Sequence, residues 1–449
     1  MGLAVEPAIS QARKFLFFRR LIPKAVPTFK PGMTLPQPTA YPRICMLIWH
    51  FHPIVGGAER QCLRLSRELA RRGFPITVLT KSLPGSPAFE SLDGIAIRRI
   101  PSLCRFRAAV LSLQARWFPP SSQGRAARIG RFFARQLGGR IPRYAFVVSA
   151  LWSLRRLRGG IDILHVHEGH WIASIGARFG AWTGKPVLVK EASSGAYLRV
   201  NFALQFWPAL TRGTAIFMAI SRRIAGDLKG EGVAEGRIRV IPNGIDVPAR
   251  AWSLSKARPG QVVFVGNLSQ QPYKGIDVLL HAWAIASRRR PDARLMLLGG
   301  GDGRELKALA GDLGIGPSVD FKGAVKNVED YYLESALFVL PSRVEGMSNA
   351  LLEAMALGVP SVSTRISGSE DLIRSGENGI LVPAEDPEAL AAAMIGLLDD
   401  PEAAAAMGAE ARRTIAESYT IESIADRYEE LYRSVSPASS GGGKPIHAR

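Results

Sequence analysis

Residues 341–360 read PSRVEGMSNALLEAMALGVP, and the interpretation of the whole chain turns on them. Pro341 and Gly346 mark Arg343–Met347 as a loop. Ser348 is placed to cap a helix that begins at Asn349, and Gly358-Val359-Pro360 ends that helix. Leu351, Leu352, Met355 and Ala356 give it a buried face. Glu353 then lies in an otherwise apolar run, where a carboxylate is costly to bury unless something hydrogen-bonds to it. Glu345 stands eight residues earlier, at the rim of the same loop. A loop feeding a helix N-terminus offers unpaired backbone N–H groups, which suit an anion such as a diphosphate. A carboxylate one turn further in can accept hydrogen bonds from a sugar diol. The stretch therefore reads as a pocket for a nucleotide or a sugar phosphate. The competing reading is an ordinary amphipathic helix with Glu353 half exposed.

The motif Glu345-x7-Glu353, inside EGMSNALLEAMALGVP, closely resembles the signature of the retaining glycosyltransferases of family 4. Those enzymes have the α/β GT-B fold: two doubly wound Rossmann-like domains facing a cleft, with a C-terminal helix crossing back. The resemblance runs, with gaps, from about Arg43 to Tyr432. It implies that Glu353 holds the ribose hydroxyls of a nucleotide and that Glu345 faces the transferred sugar.

Length and composition agree with two large domains. A chain of 449 residues is too long for one core, and 47% hydrophobic residues make it globular. The cysteines Cys45, Cys62 and Cys104 are scattered and odd in number, with no metal spacing and no disulfide framework. That usage fits a reducing compartment, with Cys45 and Cys62 in the core. The formal charge of +20 implies an anionic partner: a membrane surface, nucleic acid or a charged substrate. The longest largely apolar run, Tyr144–Leu154, is too short to span a bilayer, and the N-terminus lacks signal-peptide organisation. The expectation is a cytoplasmic protein, peripheral on the inner face of the plasma membrane.

Five segments are predicted. Residues 1–40 form a basic, proline-rich leader, either disordered or carrying a short amphipathic helix over Ile9–Ile22. Residues 41–250 form an acceptor-side domain and 251–418 a nucleotide-sugar-binding domain. A helix over 419–435 packs back on the first domain, and 436–449 is a disordered tail.

In the first domain, strand Ile44–Ile48, the turn at Gly56-Gly57, a helix through Leu69 and strand Ile76–Leu79 make a βαβ unit, hence a parallel sheet. Glycine at Gly57 lets the backbone approach a ligand, although such a pair is more often a plain turn. The resemblance places Gly57 against the donor phosphates and the acceptor. From Gly94 to Ile161 there is no Asp or Glu but fourteen arginines, interleaved with aromatics such as Tyr144 and Trp152. This reads as a face for an anionic membrane or a lipid-diphosphate acceptor, or as a merely solvated basic surface. No nucleic-acid module is recognisable. Strand Asp162–His167 puts His165 and His167 on one side, with His167 at the strand end and nearer a ligand. The resemblance assigns His167 to the transferred sugar. The strand-end loop after Val187–Lys190, through Ser193 and Gly195, should converge on the same place.

The second domain opens with strand Val262–Val265 and the loop Gly266–Gly275. Lys274, before a helix, is placed to meet a diphosphate. The resembling family carries a basic residue where this chain has Asn267, which leaves one phosphate contact to a small polar side chain. Arg365–Asp371 reads as a loop flanking the donor sugar.

Together these expectations describe a metal-independent transfer of sugar from a nucleoside-diphosphate donor to a glycan or lipid-linked acceptor. Catalytic roles fall to Glu345, His167 and Lys274. Donor binding falls to Gly57, Asn267, Lys274, Gly346, Met347, Ser348, Asn349, Ala350 and Glu353. No Asp-x-Asp motif occurs, so neither metal nor other cofactor is expected. A nucleotide-sugar epimerase on the same fold and a non-catalytic membrane partner are the alternatives.

Overall fold

The computed structural model describes residues 41–54, 56–101, 142–169, 171–192, 215–269 and 271–436. Val55, Cys104, the leader helix, most of the arginine-rich stretch, the loop through Ser193 and Gly195, and the tail beyond 436 lie outside the described residues.

The first sheet comprises β1 (Ile44–Leu47), β2 (Ile76–Lys81), β3 (Phe89–Leu92), β4 (Ile95–Ile100), β5 (Ile163–His167), β6 (Val187–Glu191), β7 (Ile216–Ala219) and β8 (Ile238–Val240). Its order is β3-β4-β2-β1-β5-β6-β7-β8. Every pairing is parallel except β3 with β4. β1, β5 and β6 are buried along their whole length, as strands covered by helices on both faces must be. Cys45 and Cys62 are fully buried free thiols. The β3–β4 hairpin is an addition to the expected βαβ pattern. It turns at Asp93 and Gly94, both at positive φ, the geometry that an Asp-Gly pair favours.

The second sheet comprises β9 (Arg258–Val265), β10 (Arg294–Leu298), β11 (Val319–Gly323), β12 (Ser335–Leu340), β13 (Ser361–Thr364) and β14 (Ile380–Val382). It is wholly parallel, in the order β11-β10-β9-β12-β13-β14. In each sheet the chain first winds one way and then the other. The direction reverses between β1 and β5 in the first, and between β9 and β12 in the second. Such reversal points open a crevice beyond the strand C-termini, where ligands bind. His167 is the last residue of β5, and the segments that follow β1, β9 and β12 carry Gly57, Asn267, Lys274 and Glu345.

The motif helix spans Asn349–Leu357. Ser348 Oγ accepts from Leu351 N at 3.5 Å, and Gly358 closes the helix at φ 85°. Leu351, Leu352, Met355 and Ala356 are fully buried. The segment expected as a loop at Arg365–Asp371 is instead mostly helical, over Ser367–Leu372. Its Ser- and Gly-rich sequence has little helix propensity. Tertiary bonds hold it: Ser363 Oγ to Ser369 Oγ at 2.8 Å, Ser221 Oγ to Ser367 Oγ at 2.7 Å, and Asp371 to Arg222 N at 2.8 Å.

The last helix, Ile421–Val435, crosses back to the first half and packs on helix Gly57–Arg71. Tyr428 and Tyr432 are fully buried there. Arg72 clamps it by bonds to Asp426 at 2.5 Å, Glu429 at 3.3 Å and the Glu422 carbonyl at 2.8 Å.

Candidate active site

The loop after β12 is fixed from below before it meets any ligand. Arg343 donates two hydrogen bonds to Asp277, at 2.8 and 2.7 Å, and its backbone N–H donates to Tyr273 O at 2.8 Å. These bonds tie the loop to the segment that carries Lys274. Gly275 lies at φ 59°, with the Pro341 carbonyl so close that a Cβ would stand 2.1 Å from its oxygen. Only glycine fits. Held this way, Lys274 Nζ reaches the Glu345 carboxylate, which also accepts from Ser342 Oγ at 3.1 Å. Two residues 71 apart in sequence thus form one half-buried ion pair.

The second contact joins the two halves. Asn349 and Glu353, one turn apart, face helix Gly57–Arg71. Asn349 Nδ2 donates to Gly57 O at 3.2 Å, and Gln61 Nε2 donates to Asn349 Oδ1 at 2.7 Å. Arg60 Nη1 donates to Glu353 Oε1 at 2.9 Å, and Arg64 Nη2 lies 3.7 Å from the same oxygen. Burial raises the Glu353 carboxyl above its ordinary range, while Arg60 and Arg64 pull it back down. Gly346, in the loop, abuts the first half directly: a Cβ there would stand 1.8 Å from Ala192 O. The N-termini of two helices, at Gly57 and Asn349, therefore face each other, each with amides free of intrahelical partners.

His167 is 2% exposed and stacks on His165, with ring centroids 4.3 Å apart. His165 Nδ1 is bonded to the Tyr432 hydroxyl at 2.7 Å. Burial holds both imidazoles well below their ordinary pKa, so both are neutral. His167 Nε2 is buried and has no hydrogen-bond partner among the described residues. Asn267 is exposed and uses its Oδ1 to accept from Ser269 N at 2.9 Å, which shapes its own loop. Met347, Ser348 and Ala350 line the loop-to-helix junction, with Met347 and Ser348 buried.

Several groups here escaped sequence reasoning. Arg60, Gln61 and Arg64 follow Gly57 at helical spacing, which is a usable signal, but their partners Asn349 and Glu353 are 288 or more residues away. Glu168, just past β5, adopts φ 83°, an uncommon value for a non-glycine residue and one that clusters at functional sites. Burial, with Glu59 nearby, raises its carboxyl to about 7. Burial likewise lowers the Lys190 ammonium to about 8.

The family description "Glycosyltransferase Family 4" matches residues 55–248, and "Glycosyl transferases group 1" matches residues 259–400. Between them the two matches take in the second sheet and every strand of the first except β1. The chain belongs to glycosyltransferase family 4. It is a glycosyltransferase, and relatives along its length carry the same activity in their names. The D-inositol 3-phosphate glycosyltransferase of Rhodococcus opacus is 28% identical over 450 residues, covering 87% of this chain and 90% of that protein. The corresponding enzyme 1 of Catenulispora acidiphila is 27% identical over 429 residues, covering 87% and 93%. Among solved structures, HepE from Anabaena in complex with UDP and glucose superposes with a TM-score of 0.66 at 17% identity, covering 88% of this chain and 100% of that one. Sucrose-phosphate synthase from Thermosynechococcus elongatus gives 0.68 at 22% identity, covering 88% and 98%. These likenesses establish the GT-B fold of this family 4 glycosyltransferase.

Proposed function

We propose that this glycosyltransferase moves a sugar from a nucleoside-diphosphate donor to a hydroxyl of a glycan or lipid-linked acceptor, without a metal and with retention of configuration. The observation that carries the reading is the meeting of Lys274–Glu345 and Asn349–Glu353 with Gly57 at the two crevices. Glu353 takes the ribose hydroxyls. Lys274 and the amides of Met347, Ser348, Asn349 and Ala350 neutralise the leaving diphosphate, where charge grows in the transition state. Glu345, His167 and Gly57 position the transferred sugar. His167 suits that role because a neutral imidazole with an unpaired Nε2 offers a hydrogen bond without adding charge. Retention follows from same-face attack, with a donor phosphate oxygen taking the acceptor proton, and it rests on family resemblance. Metal independence rests on the sequence, which carries no Asp-x-Asp motif.

The acceptor is delivered at an anionic membrane surface. Helix 142–157 exposes Tyr144 (63%), Val148 (57%) and Trp152 (39%) at four-residue spacing, and Trp182 (42%) is also exposed. Arg156 stacks on Trp152 with its guanidinium carbon 3.7 Å from the ring, and Arg155 and Arg158 lie over Trp182. Aromatic bodies with cationic tips suit the headgroup layer. The same helix reaches toward the cleft, because its Phe146 packs edge-on against Trp49, just past β1. No helix among the described residues is long and apolar enough to cross a membrane.

Calorimetric titration of UDP-, GDP- and ADP-sugars, with chelator present, tests the donor site. A charge-assisted hydrogen bond contributes roughly 1.5–3 kcal/mol, so Glu353→Ala should weaken the preferred donor on the order of ten- to a hundredfold. Unchanged affinity in a folded variant would refute the assignment. D-inositol 3-phosphate, the substrate in the relatives' names, is the soluble acceptor to compare with lipid-linked ones.

A further inference from the structure

We infer that Arg60 and Arg64 are positioning residues for the donor clasp: from the first half of the chain they hold the Glu353 carboxylate in the orientation and charge state that a ribose diol requires. The inference rests on the reading of Glu353 as the ribose ligand and adds residues from the opposite side of the cleft.

Three observations lead to it. Both guanidinium contacts fall on Oε1 of Glu353, which leaves Oε2 to a ribose hydroxyl. The neighbouring turn is set at the same time, because Asn349 is held between Gln61 and Gly57 O. Finally, Arg64 Nη1 is buried and has no acceptor among the described residues, an arrangement that a ligand oxygen beside Glu353 would relieve. The charged and titratable groups around Glu353 are few. Helix Gly57–Arg71 presents Arg60 and Arg64, and Asp246 lies 3.3 Å from Arg64 Nε. Helix Val328–Glu334 presents Tyr332, which is buried, neutral and donates its hydroxyl to Ala350 O at 3.0 Å.

The chemistry is then simple. Burial favours the protonated acid at Glu353, and only the two guanidinium groups oppose it. A protonated carboxyl loses acceptor capacity toward a diol. Donor affinity therefore depends on the halves being together, and closing the cleft completes the nucleotide site. The rival account is a latch that closes the empty cleft and must break before the donor enters.

The test is donor affinity against pH, measured on the full chain with the nucleoside-diphosphate sugar that titrates best. Arg60 is partly exposed, so its variants keep the fold. Arg60→Ala should weaken donor binding about three- to tenfold near pH 8, with the loss growing as pH falls toward about 6, while wild type stays flat across that range. Arg60→Lys should restore the flat profile by keeping the charge. Tighter donor binding in Arg60→Ala would show a latch and overturn the inference. Equal weakening at every pH would reduce Arg60 to a structural contact and overturn it too. Glu353→Gln separates the two readings. If Glu353→Gln binds as wild type, the ribose clasp itself fails and the inference falls with it. If Glu353→Gln is weak but Arg60→Ala is normal, only the inference fails.

Discussion

Gly346 lies where the two halves of the molecule touch. Its backbone conformation is open to any residue, so the constraint is contact rather than φ: a Cβ would stand 1.8 Å from Ala192 O and 3.0 Å from the Ile220 side chain. Overpacking of this kind costs about 1–3 kcal/mol when it cannot relax. Here it relaxes by parting the halves. Gly346→Ala should therefore melt within a few degrees of wild type yet lose most of its transferase activity, on the order of a hundredfold. Rates and melting curves on one preparation decide the point, and near-normal turnover would contradict it. At this scale the sequence was partly legible. An acid in an apolar helix announced that Glu353 needs a partner, because burying an unpaired carboxylate is costly. The partner's identity was not legible, because Arg60 lies 293 residues away and nothing local distinguishes it from other arginines on its helix.

Among the elements, the last helix shows best how local pattern and tertiary contact divide the work. Its apolar spacing at Ile424, Tyr428 and Leu431 predicts one buried face, and that face is buried. What the spacing does not show is that Tyr432 reaches His165, inside the first sheet. The pair His165 and His167 is buried neutral, so the unfolded chain binds more protons than the folded one once pH drops below about 6.5. Stability attributable to these imidazoles is complete above that pH and declines below it, by up to about 1.4 kcal/mol per pH unit for each ring. Thermal melts from about pH 8 to 5 should show the decline, and His167→Gln should make it shallower. Tyr432→Phe should lower stability by about 1 kcal/mol at every pH without changing the slope. An identical slope in His167→Gln would refute this account. Two other elements mark the limits of pattern reading. The β3–β4 hairpin was announced by Asp93-Gly94 but masked by the dominant βαβ rhythm. Ser367–Leu372 is helical only because its serines find partners in two other segments.

For the whole molecule, alternating strand and helix patterns made two doubly wound sheets legible, and their two reversal points locate the cleft. The closeness of the halves was not legible, since it depends on contacts such as Gln61–Asn349 that no local rule anticipates. The charge of +20 acts at this scale as well. If the Tyr144–Trp152 face sits on lipid, the protein should float with vesicles of phosphatidylcholine containing about 30% phosphatidylglycerol and not with phosphatidylcholine alone, given roughly 1 kcal/mol per arginine near an anionic surface. Val148→Glu with Trp152→Glu should reduce flotation at least about tenfold while leaving donor affinity intact. Flotation unchanged by that double variant would place the membrane contact elsewhere.

The return of the last helix to the first half also sets an order of events during synthesis. The first sheet, on which Tyr428 and Tyr432 close, ends at Val240, 195 residues before its covering helix ends at Val435. At about 5–20 residues per second, that interval lasts roughly 10–40 seconds. Throughout it, the nascent first half presents an open apolar groove between helix Gly57–Arg71 and the sheet. A chaperone has its opportunity there, and a message truncated before codon 421 yields a product that cannot seal its own core.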